Sequence, residues 1–500
     1  MIQKSFFLQF FIFSFLTSLN ASIIMQPYLQ ACTNNSIYII VECDSTNTVL
    51  VKYGTDTNYG NFASTESIAQ TTGTNSYIHK IKIANLLSNT LYHYAVSHDG
   101  GPWSTDFTFK TAPLEGTIIR FAFAADFRTN TNIHDMVAQH IKESSPDLCL
   151  YGGDLCSDGS YDSYKNEWFR NNQLNIISFI PYFNAVGNHE GWGINTQAFH
   201  QAPVSNSNSQ SYYSFDFGEM HVLVLNNYDP GGYNLGSSQY TFTQNDIQAS
   251  TKKWKIVISH NPAYCGGGHG EDPVMINMTQ NIFEPYGVDI VLSGHSHFYQ
   301  HNFVNNIHHI IIGSAGAPLY DPVPETYTVY TMKTYCYGIA DLDMCNFYLK
   351  VYNEQATPIE TITLSKCTAT HTPTLTSTFT ITSTFTVTPT FTITPTFTPS
   401  QTLTILPTTI SNFTATIKIY PNPWKRNNSP YNKIVFTGII PGSEIKIYNL
   451  AGTYVFSTKI NNDIFEWYAK NESGNDLPAG IYIFYIKSNN EKYKGKIILY

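Results

Sequence analysis

At 500 residues and 56.3 kDa the chain exceeds the size at which one hydrophobic core stops growing, so several domains are expected, one of them large. Its formal net charge is -9, its pI about 5.9, and only 13% of its residues are charged, which leaves no basic face on which a nucleic-acid duplex could release counterions. An aromatic share of 15%, with abundant Thr, Asn, Ser, Tyr and Ile, favours β structure and long polar loops over a helical protein.

The first segment, MIQKSFFLQFFIFSFLTSLNAS, places Lys4 ahead of a nearly unbroken Phe/Ile/Leu stretch and then small polar residues ending at Ala21. Residues 1–21 are therefore expected to be a secretory signal peptide, with an apolar part too short for a comfortable bilayer span. No later run reaches ~20 apolar residues, so no transmembrane segment is expected in the mature chain. Export makes the eight cysteines candidates for disulfides. Cys32 with Cys43 and Cys336 with Cys345 are close enough in sequence to close small loops and are expected to pair. The absence of any CxxC speaks against metal-thiolate use.

Residues 22–112 hold short alternating runs, SIYIIVEC, TVLVKYG, YIHKIKIANL, TLYHYAV and DFTFKTAP, separated by Asn, Asp, Gly and Ser, with the spacing of a β-sandwich. LLSNTLYHYAV followed by FTFKTAP resembles the late strands of a fibronectin type III domain. From 117 to 355 stronger apolar runs alternate with helix-compatible stretches: TIIRFAFAADF, a helix candidate in NIHDMVAQHIKESSPD, then LCLYGGD, FIPYFNAVGNHE, HVLVLNN, KWKIVISHN, VDIVLSGHSH and IHHIIIGSAG. Runs apolar on both faces suggest buried strands of a layered α/β domain, whose sites gather at the carboxyl ends of strands. Residues 368–410, with Thr at nearly every second position and repeated Pro, are expected to be an extended linker. Residues 413–500 return to β patterning. They resemble the FlgD-like Ig-fold and sorting domains of exported bacterial proteins in Tyr420-Pro421-Asn422-Pro423, Ile447-Tyr448-Asn449-Leu450-Ala451-Gly452, Ala479-Gly480-Ile481-Tyr482 and Gly495-Lys496-Ile497, a likeness that implies a secreted or cell-surface protein and contact with export machinery.

Five polar clusters close five of the central apolar runs. FAADFR supplies Asp126, YGGDLC Asp154, VGNHE Asn188 and His189, VISHN His260, and SGHSH His295 and His297. Two carboxylates, an amide oxygen and three imidazoles besides His189 form a ligand set suited to two divalent or trivalent first-row ions. Gly153, Gly187 and Gly294 stand immediately before the clusters, where the backbone must turn sharply and leave room.

In these five ordered motifs the chain resembles the calcineurin-like metallophosphoesterases, and within them the purple acid phosphatase branch, over residues 22–355. The resemblance implies a β-sandwich in front of an α/β metallophosphoesterase sandwich, followed here by the Thr/Pro-rich linker and an Ig-like β-sandwich. It also implies two metal ions, of Fe, Zn or Mn. Asp126, Asp154 and His297 would hold the first metal. Asp154 would bridge to a second held by Asn188, His260 and His295. The implied activity is hydrolysis of phosphate monoesters on a small phosphorylated substrate by water or hydroxide that the metals activate, with phosphodiesterase or nucleotidase activity, or a non-catalytic surface binding protein, as alternatives.

His189 would face the substrate and protonate the leaving alkoxide, or would orient a metal ligand. His269, in HNPAYCGGGHGEDP, matches a second substrate-side histidine, the alternative being a solvated loop residue. The second motif of the purple branch reads Gly-Asp-x-x-Tyr, but here Ser157 occupies the tyrosine's place, and Tyr161 is the nearest phenol in sequence. The Asp-x-His of other branches is absent too, because Arg128 stands at its third position. Arg128 would clamp a phosphate oxygen or pair with a strand-end acid.

Overall fold

Period-two alternation of apolar residues produces a chain dominated by strands. The computed structural model describes residues 22–367, 418–420, 433–437, 439–440, 442–449, 453–461, 464–487 and 492–499. The expected signal peptide, the Thr/Pro linker, and the motif residues Pro421-Asn422-Pro423, Leu450, Ala451 and Gly452 lie outside the described residues. The chain divides at residue 376 into two compact units.

The first unit begins with strands β1 (Ile23–Gln30), β2 (Ser36–Cys43), β3 (Val49–Gly54), β4 (Asn61–Ser64), β5 (Ser67–Gln70), β6 (Tyr77–Ala84), β7 (Leu91–His98) and β8 (Phe107–Lys110). A four-stranded sheet, β4-β3-β7-β8, packs on β1, β2, β6 and β5 to make the N-terminal β-sandwich. The chain continues through β9 (Ile119–Ala124), helix α1 (Thr131–Glu143), β10 (Leu148–Tyr151), β11 (Tyr182–Asn184), β12 (Tyr213–Phe217), β13 (Met220–Val224), helix α2 (Ser238–Ala249), β14 (Trp254–Ser259), β15 (Ile290–Ser293), β16 (Tyr299–Val304), β17 (Ile307–Ile312), β18 (Thr328–Met332), β19 (Cys336–Leu342), β20 (Asn346–Asn353) and β21 (Pro358–Ser365).

Two large sheets result. One, ten strands wide, runs β21-β20-β19-β9-β10-β11-β1-β2-β6-β5, and the other, seven wide, runs β12-β13-β14-β15-β17-β16-β18. The step from the central to the N-terminal strands in the wider sheet is the parallel pairing of Gln30 with Tyr182, so the front sandwich extends the central sheet rather than hanging from it.

Side chains sort by strand parity into layers. Phe121, Phe123, Leu148 and Leu150 meet Val222, Ile256, Ile258 and Leu292 in the core between the sheets. Cys149 and Tyr151, one residue out of phase, face Val137, Ala138 and Ile141 of α1. Leu223, Val257 and Val291 face Tyr240 and Ile247 of α2. The expected helix forms because its apolar positions share one face, Asn130 caps its first turn by accepting from the Ile133 amide, and His140 and Lys142 lie in its last turn.

The second unit is β-rich. Lys418–Tyr420, Ile434–Thr437 and Ile464–Trp467 form one sheet; Tyr454–Ile460, Ser443–Asn449, Gly480–Lys487 and Lys492–Leu499 form another. Ile445, Ile447, Phe436, Trp467 and Phe484 share its core.

The expected cysteine pairs are corrected. Cys345 bonds Cys367, whereas Cys32, Cys43 and Cys336 are free and buried, as are Cys149, Cys156 and Cys265. Strand register explains why. Cys43 pairs with Ile23 at the start of β1, while Cys32 follows the other end of that strand. Cys336 pairs with Asn353, while Cys345 sits in the turn past Leu342. Each expected pair is a strand apart, roughly 20 Å, beyond the ~7 Å that a disulfide spans. Thiol titration of the unreduced, denatured and metal-free protein is expected to return six free thiols, the eight cysteines less the two of the bridge. A lower count would show that the register does not hold these residues apart.

Candidate metal centre

All the sequence-predicted ligands follow strands at the same edge of the fold. Asp126 follows β9, Asp154 follows β10, Asn188 and His189 follow β11, His260 follows β14, and His295 and His297 follow β15. The first three strands belong to one sheet and the last two to the other, so the site straddles the open carboxyl edge of both.

The backbone is forced into tight turns there. Asp126, Asp154 and His295 all adopt positive φ, at 60°, 52° and 68°, a conformation that costs a residue with a side chain roughly 1–3 kcal/mol. Cross-strand bonds hold them in it. The Asp126 amide donates to the Gly153 carbonyl at 3.0 Å and the Phe127 amide to the Asp154 carbonyl at 2.9 Å. The His295 amide donates to Asp126 Oδ2 at 2.9 Å, and the His189 amide to Asp154 Oδ1 at 3.1 Å. Two glycines supply the clearance. A Cβ on Gly187 would stand 2.2 Å from Asp154 Oδ1, and one on Gly294 would stand 2.4 Å from Asp126 Oδ2.

Ligand-type atoms converge in that space. His260 Nε2 lies 3.1 Å from Asn188 Oδ1, 3.3 Å from Asp154 Oδ1 and 4.0 Å from Asp126 Oδ1. His297 Nε2 lies 3.4 Å from Asp126 Oδ1, and the His295 ring is 4.9 Å from that of His260. Asp126, Asp154 and His297 offer ligand atoms all within 4.8 Å of one another. Asp126 Oδ1 is buried with no hydrogen-bond partner, which leaves its lone pairs free for a cation. The donor set therefore fits metal ions and is consistent with a binuclear centre.

Backbone carbonyls fix the Nδ1 side of three of these rings, which for His260 and His297 is the arrangement that orients metal-binding imidazoles. His260 Nδ1 donates to the Gly152 carbonyl, His297 Nδ1 to Pro318 and His189 Nδ1 to Ser157, each at 2.7 Å. Burial, reinforced by neighbouring positive groups, lowers His295 to about 2; burial foremost lowers His297 to about 4. Both are neutral imidazoles, the form with a free lone pair. Burial raises the Asp126 carboxyl well above its ordinary range; it acts on Asp154 as well, but His260 and His189 outweigh it and hold that group low.

The remaining predicted residues also reach the site. Arg128 Nε donates to Asp154 Oδ2 at 3.1 Å, and its Nη2 is 3.4 Å from His297 Nε2. The His269 ring stacks on His295 at 4.0 Å and lines a cavity of about 300 Å³ with Tyr233, Asn261 and Asp272. His189 Nε2 stands 3.8 Å from Asp154 Oδ2. Tyr161 is not brought in, because its hydroxyl donates to Glu42 Oε1 at 2.7 Å.

Two carboxylates escaped the sequence reading. Glu190 Oε1 accepts from the Asp154 and Gly187 amides at 3.1 and 2.8 Å, pinning the two turns together, and burial lifts its pKa to about 8. Its adjacency to His189 was the available signal. Glu167 accepts from the Ser157 amide and hydroxyl at 2.5 and 2.7 Å and from the Thr129 amide at 3.1 Å, and nothing in its local sequence marks it.

An α/β domain of two facing sheets with a metal-type constellation at their shared carboxyl edge is the architecture of a metallophosphoesterase. Residues 119–299 match the calcineurin-like phosphoesterase family model, residues 31–111 the purple acid phosphatase N-terminal domain, and residues 421–500 the CHU_C type IX secretion signal domain. Purple acid phosphatase 21 of Arabidopsis thaliana is 30% identical over 245 residues, 45% of this chain and 53% of the relative. Purple acid phosphatase 18 of the same plant is 30% identical over 299 residues, 54% of this chain and 65% of the relative. The chain thus spans about half to two thirds of these relatives. The fold is similar to that of a purple acid phosphatase from yellow lupin (Lupinus luteus) seeds, with a TM-score of 0.60 at 20% identity over 68% of this chain and 74% of the other. In residues 31–111 and 119–299 the chain is thus similar to the calcineurin-like and purple acid phosphatase superfamily. The match to a secretion-associated C-terminal domain is consistent with a secreted or cell-surface location; among the described residues no helix is long and apolar enough to cross a membrane.

The glycine cradle yields a test that does not depend on turnover. Gly187→Ala should drive Asp154 out of position, so the folded variant is expected to retain less metal per chain than the parent by elemental analysis. Unchanged metal content with unchanged circular dichroism would refute the cradle.

Proposed function

We propose that the protein is an exported, metal-dependent phosphoric monoester hydrolase with a binuclear centre. The observation that carries this reading is the convergence of Asp126, Asp154, Asn188, His260, His295 and His297 from two sheets onto one cluster, in which Asp126, Asp154, His260 and His297 are buried, His295 is half-buried, Asn188 is exposed, and Asp126 Oδ1 has no hydrogen-bond partner. Asp126, Asp154 and His297 would hold the first ion, and Asp154, Asn188, His260 and His295 the second. Ions there would supply positive charge to a phosphoryl oxygen and acidify a water. The identity of the pair rests on Fe, Zn or Mn as candidates.

The chain's own residues then account for substrate handling. Arg128, only 11% exposed at its side chain, is anchored on Asp154 and offers its remaining N–H groups to a non-bridging phosphate oxygen. His189 carries its Nδ1 proton on the Ser157 carbonyl, so Nε2 is left facing the cluster. When protonated there it can give that proton to the departing alkoxide. His269, stacked on His295, bounds the substrate side. The C-terminal domain serves export through the type IX route that its family match suggests.

The purified protein is expected to hydrolyse an aryl phosphate in a metal-dependent way, faster than the matching bis-aryl diester. Asp154→Asn should lose both metal and turnover. His189→Ala should keep metal yet lose roughly 10²- to 10⁴-fold in rate, more with a poor leaving group than a good one. Equal losses on both leaving groups would remove the proton-donor role; faster diester turnover would favour a phosphodiesterase or nucleotidase, and no turnover of either substrate by metallated protein would favour a binding protein.

The iron-loaded protein provides a separate check. With Ser157 bound to Glu167 and Tyr161 bound to Glu42, no strong visible phenolate-to-iron absorption is expected. Such a band would require a tyrosine to move into the cluster.

A further inference from the structure

A second group of metal-type side chains lies in the N-terminal sandwich, on strands that carry none of the strand-end ligands proposed above. Cys43 closes β2, His79 lies in β6 and His98 closes β7. The first two belong to the wider sheet and the third to the sheet facing it. One ligand atom from each lies within 4.8 Å of the others, and all three residues are buried.

A buried cysteine alone would pass as a core residue, but the two histidines beside it are hard to explain as packing. Their rings approach edge-on at 5.6 Å. His98 Nδ1 is buried without a hydrogen-bond partner, in a side chain 1% exposed. Its other nitrogen is 3.2 Å from Ser45 Oγ, and His79 Nε2 donates to the Ser45 carbonyl at 2.9 Å. Ser45 thus fixes the outer nitrogen of both rings and leaves both Nδ1 atoms for the interior, the arrangement that orients metal-binding imidazoles. His79 Nδ1 meets only Thr65 Oγ1, at 3.1 Å. Asp44 Oδ1 stands 3.9 Å from His98 Nδ1, where it or a water can complete a tetrahedron.

We propose that Cys43, His79 and His98 form a zinc site that ties the two sheets of the N-terminal sandwich together, separate from the strand-end centre. One thiolate with two imidazoles is a ligand set that suits Zn²⁺. Binding exchanges the Cys43 thiol proton, released to solvent, for a sulfur–zinc bond. The site performs no chemistry on substrate; its role is that of a cross-link between β2, β6 and β7.

Cobalt substitution separates this site from the other, because Asp, Asn and His ligands give no thiolate-to-cobalt absorption. The chelator-treated full-length protein, kept reduced and titrated with Co²⁺, is expected to develop a near-ultraviolet thiolate-to-cobalt band that saturates at one Co²⁺ per chain and is bleached by Zn²⁺. Asp154→Asn should leave the band intact. Cys43→Ser should abolish it, and His98→Ala should weaken Co²⁺ binding by more than the roughly 10- to 100-fold that loss of an outer hydrogen-bond partner costs. Absence of the band in folded parent protein, its survival in Cys43→Ser, or unaltered affinity in a folded His98→Ala variant would each overturn the proposal.

Discussion

Asp126 and Asp154 are brought together in the protein interior by neighbouring parallel strands, with ligand oxygens inside the 4.8 Å span shared with His297. Two carboxylate charges at that separation repel by on the order of 4 kcal/mol at an effective dielectric near 20. Much of the surrounding structure serves to hold them there regardless. Gly187 and Gly294 withhold side chains so that the carboxylates can lie flush against backbone, the His189 and His295 amides each donate to one of them, and Arg128 adds a positive charge at Asp154. Such an arrangement stores cost in the folded chain that a cation bound there would offset.

The N-terminal sandwich takes part in this positioning. The segment between β11 and the residues near 200 delivers Asn188, His189 and Glu190, and the sandwich grips that segment from the far side. Tyr28 donates to the Phe199 carbonyl at 2.8 Å and the Lys80 ammonium to the Gln197 carbonyl at 3.2 Å, while Tyr94 donates to the Ser178 carbonyl at 2.7 Å just ahead of β11. Lys165 pairs with buried Glu42 at 2.6 Å, and Glu42 in turn accepts from Tyr161. The tyrosine nearest in sequence to the missing phenolate is therefore engaged in joining the two halves of the first unit, which is a physical reason for its absence from the cluster.

What could be read from the sequence was what local order encodes. Each candidate ligand follows a mostly apolar run, and buried parallel strands end where their polar residues begin, so Asp126, Asp154, His260 and His295 could be singled out as candidates without a structure. Pairing between distant strands was not. Register decides which cysteines meet, and it separated Cys32 from Cys43 by the length of β1. The same long-range pairing gathers Cys43, His79 and His98 from three strands, where no CxxC or short histidine spacing announces them. Glu167 was invisible for a similar reason: it acts on Ser157 and Thr129 from a helical turn whose own periodicity says only that one face is exposed.

The replacement of a phenol by Ser157, with Arg128 nearby, changes the charge of the first-ion side on the proposed reading. A phenolate would add a third anionic ligand to Asp126 and Asp154. Serine adds none, and its hydroxyl is already donated to Glu167. Arg128 has no lone pair to give a metal, so its positive charge lowers the net negative charge that the ions see without binding them. A trivalent ion gains most from anionic ligands and loses most from a neighbouring guanidinium, whereas a divalent pair is less affected on both counts. The same two substitutions raise the positive potential offered to a phosphate dianion. On that reading electrostatics couples the two departures: the chain would give up affinity for a high-valent ion at one position and gain attraction for an anionic substrate at the next.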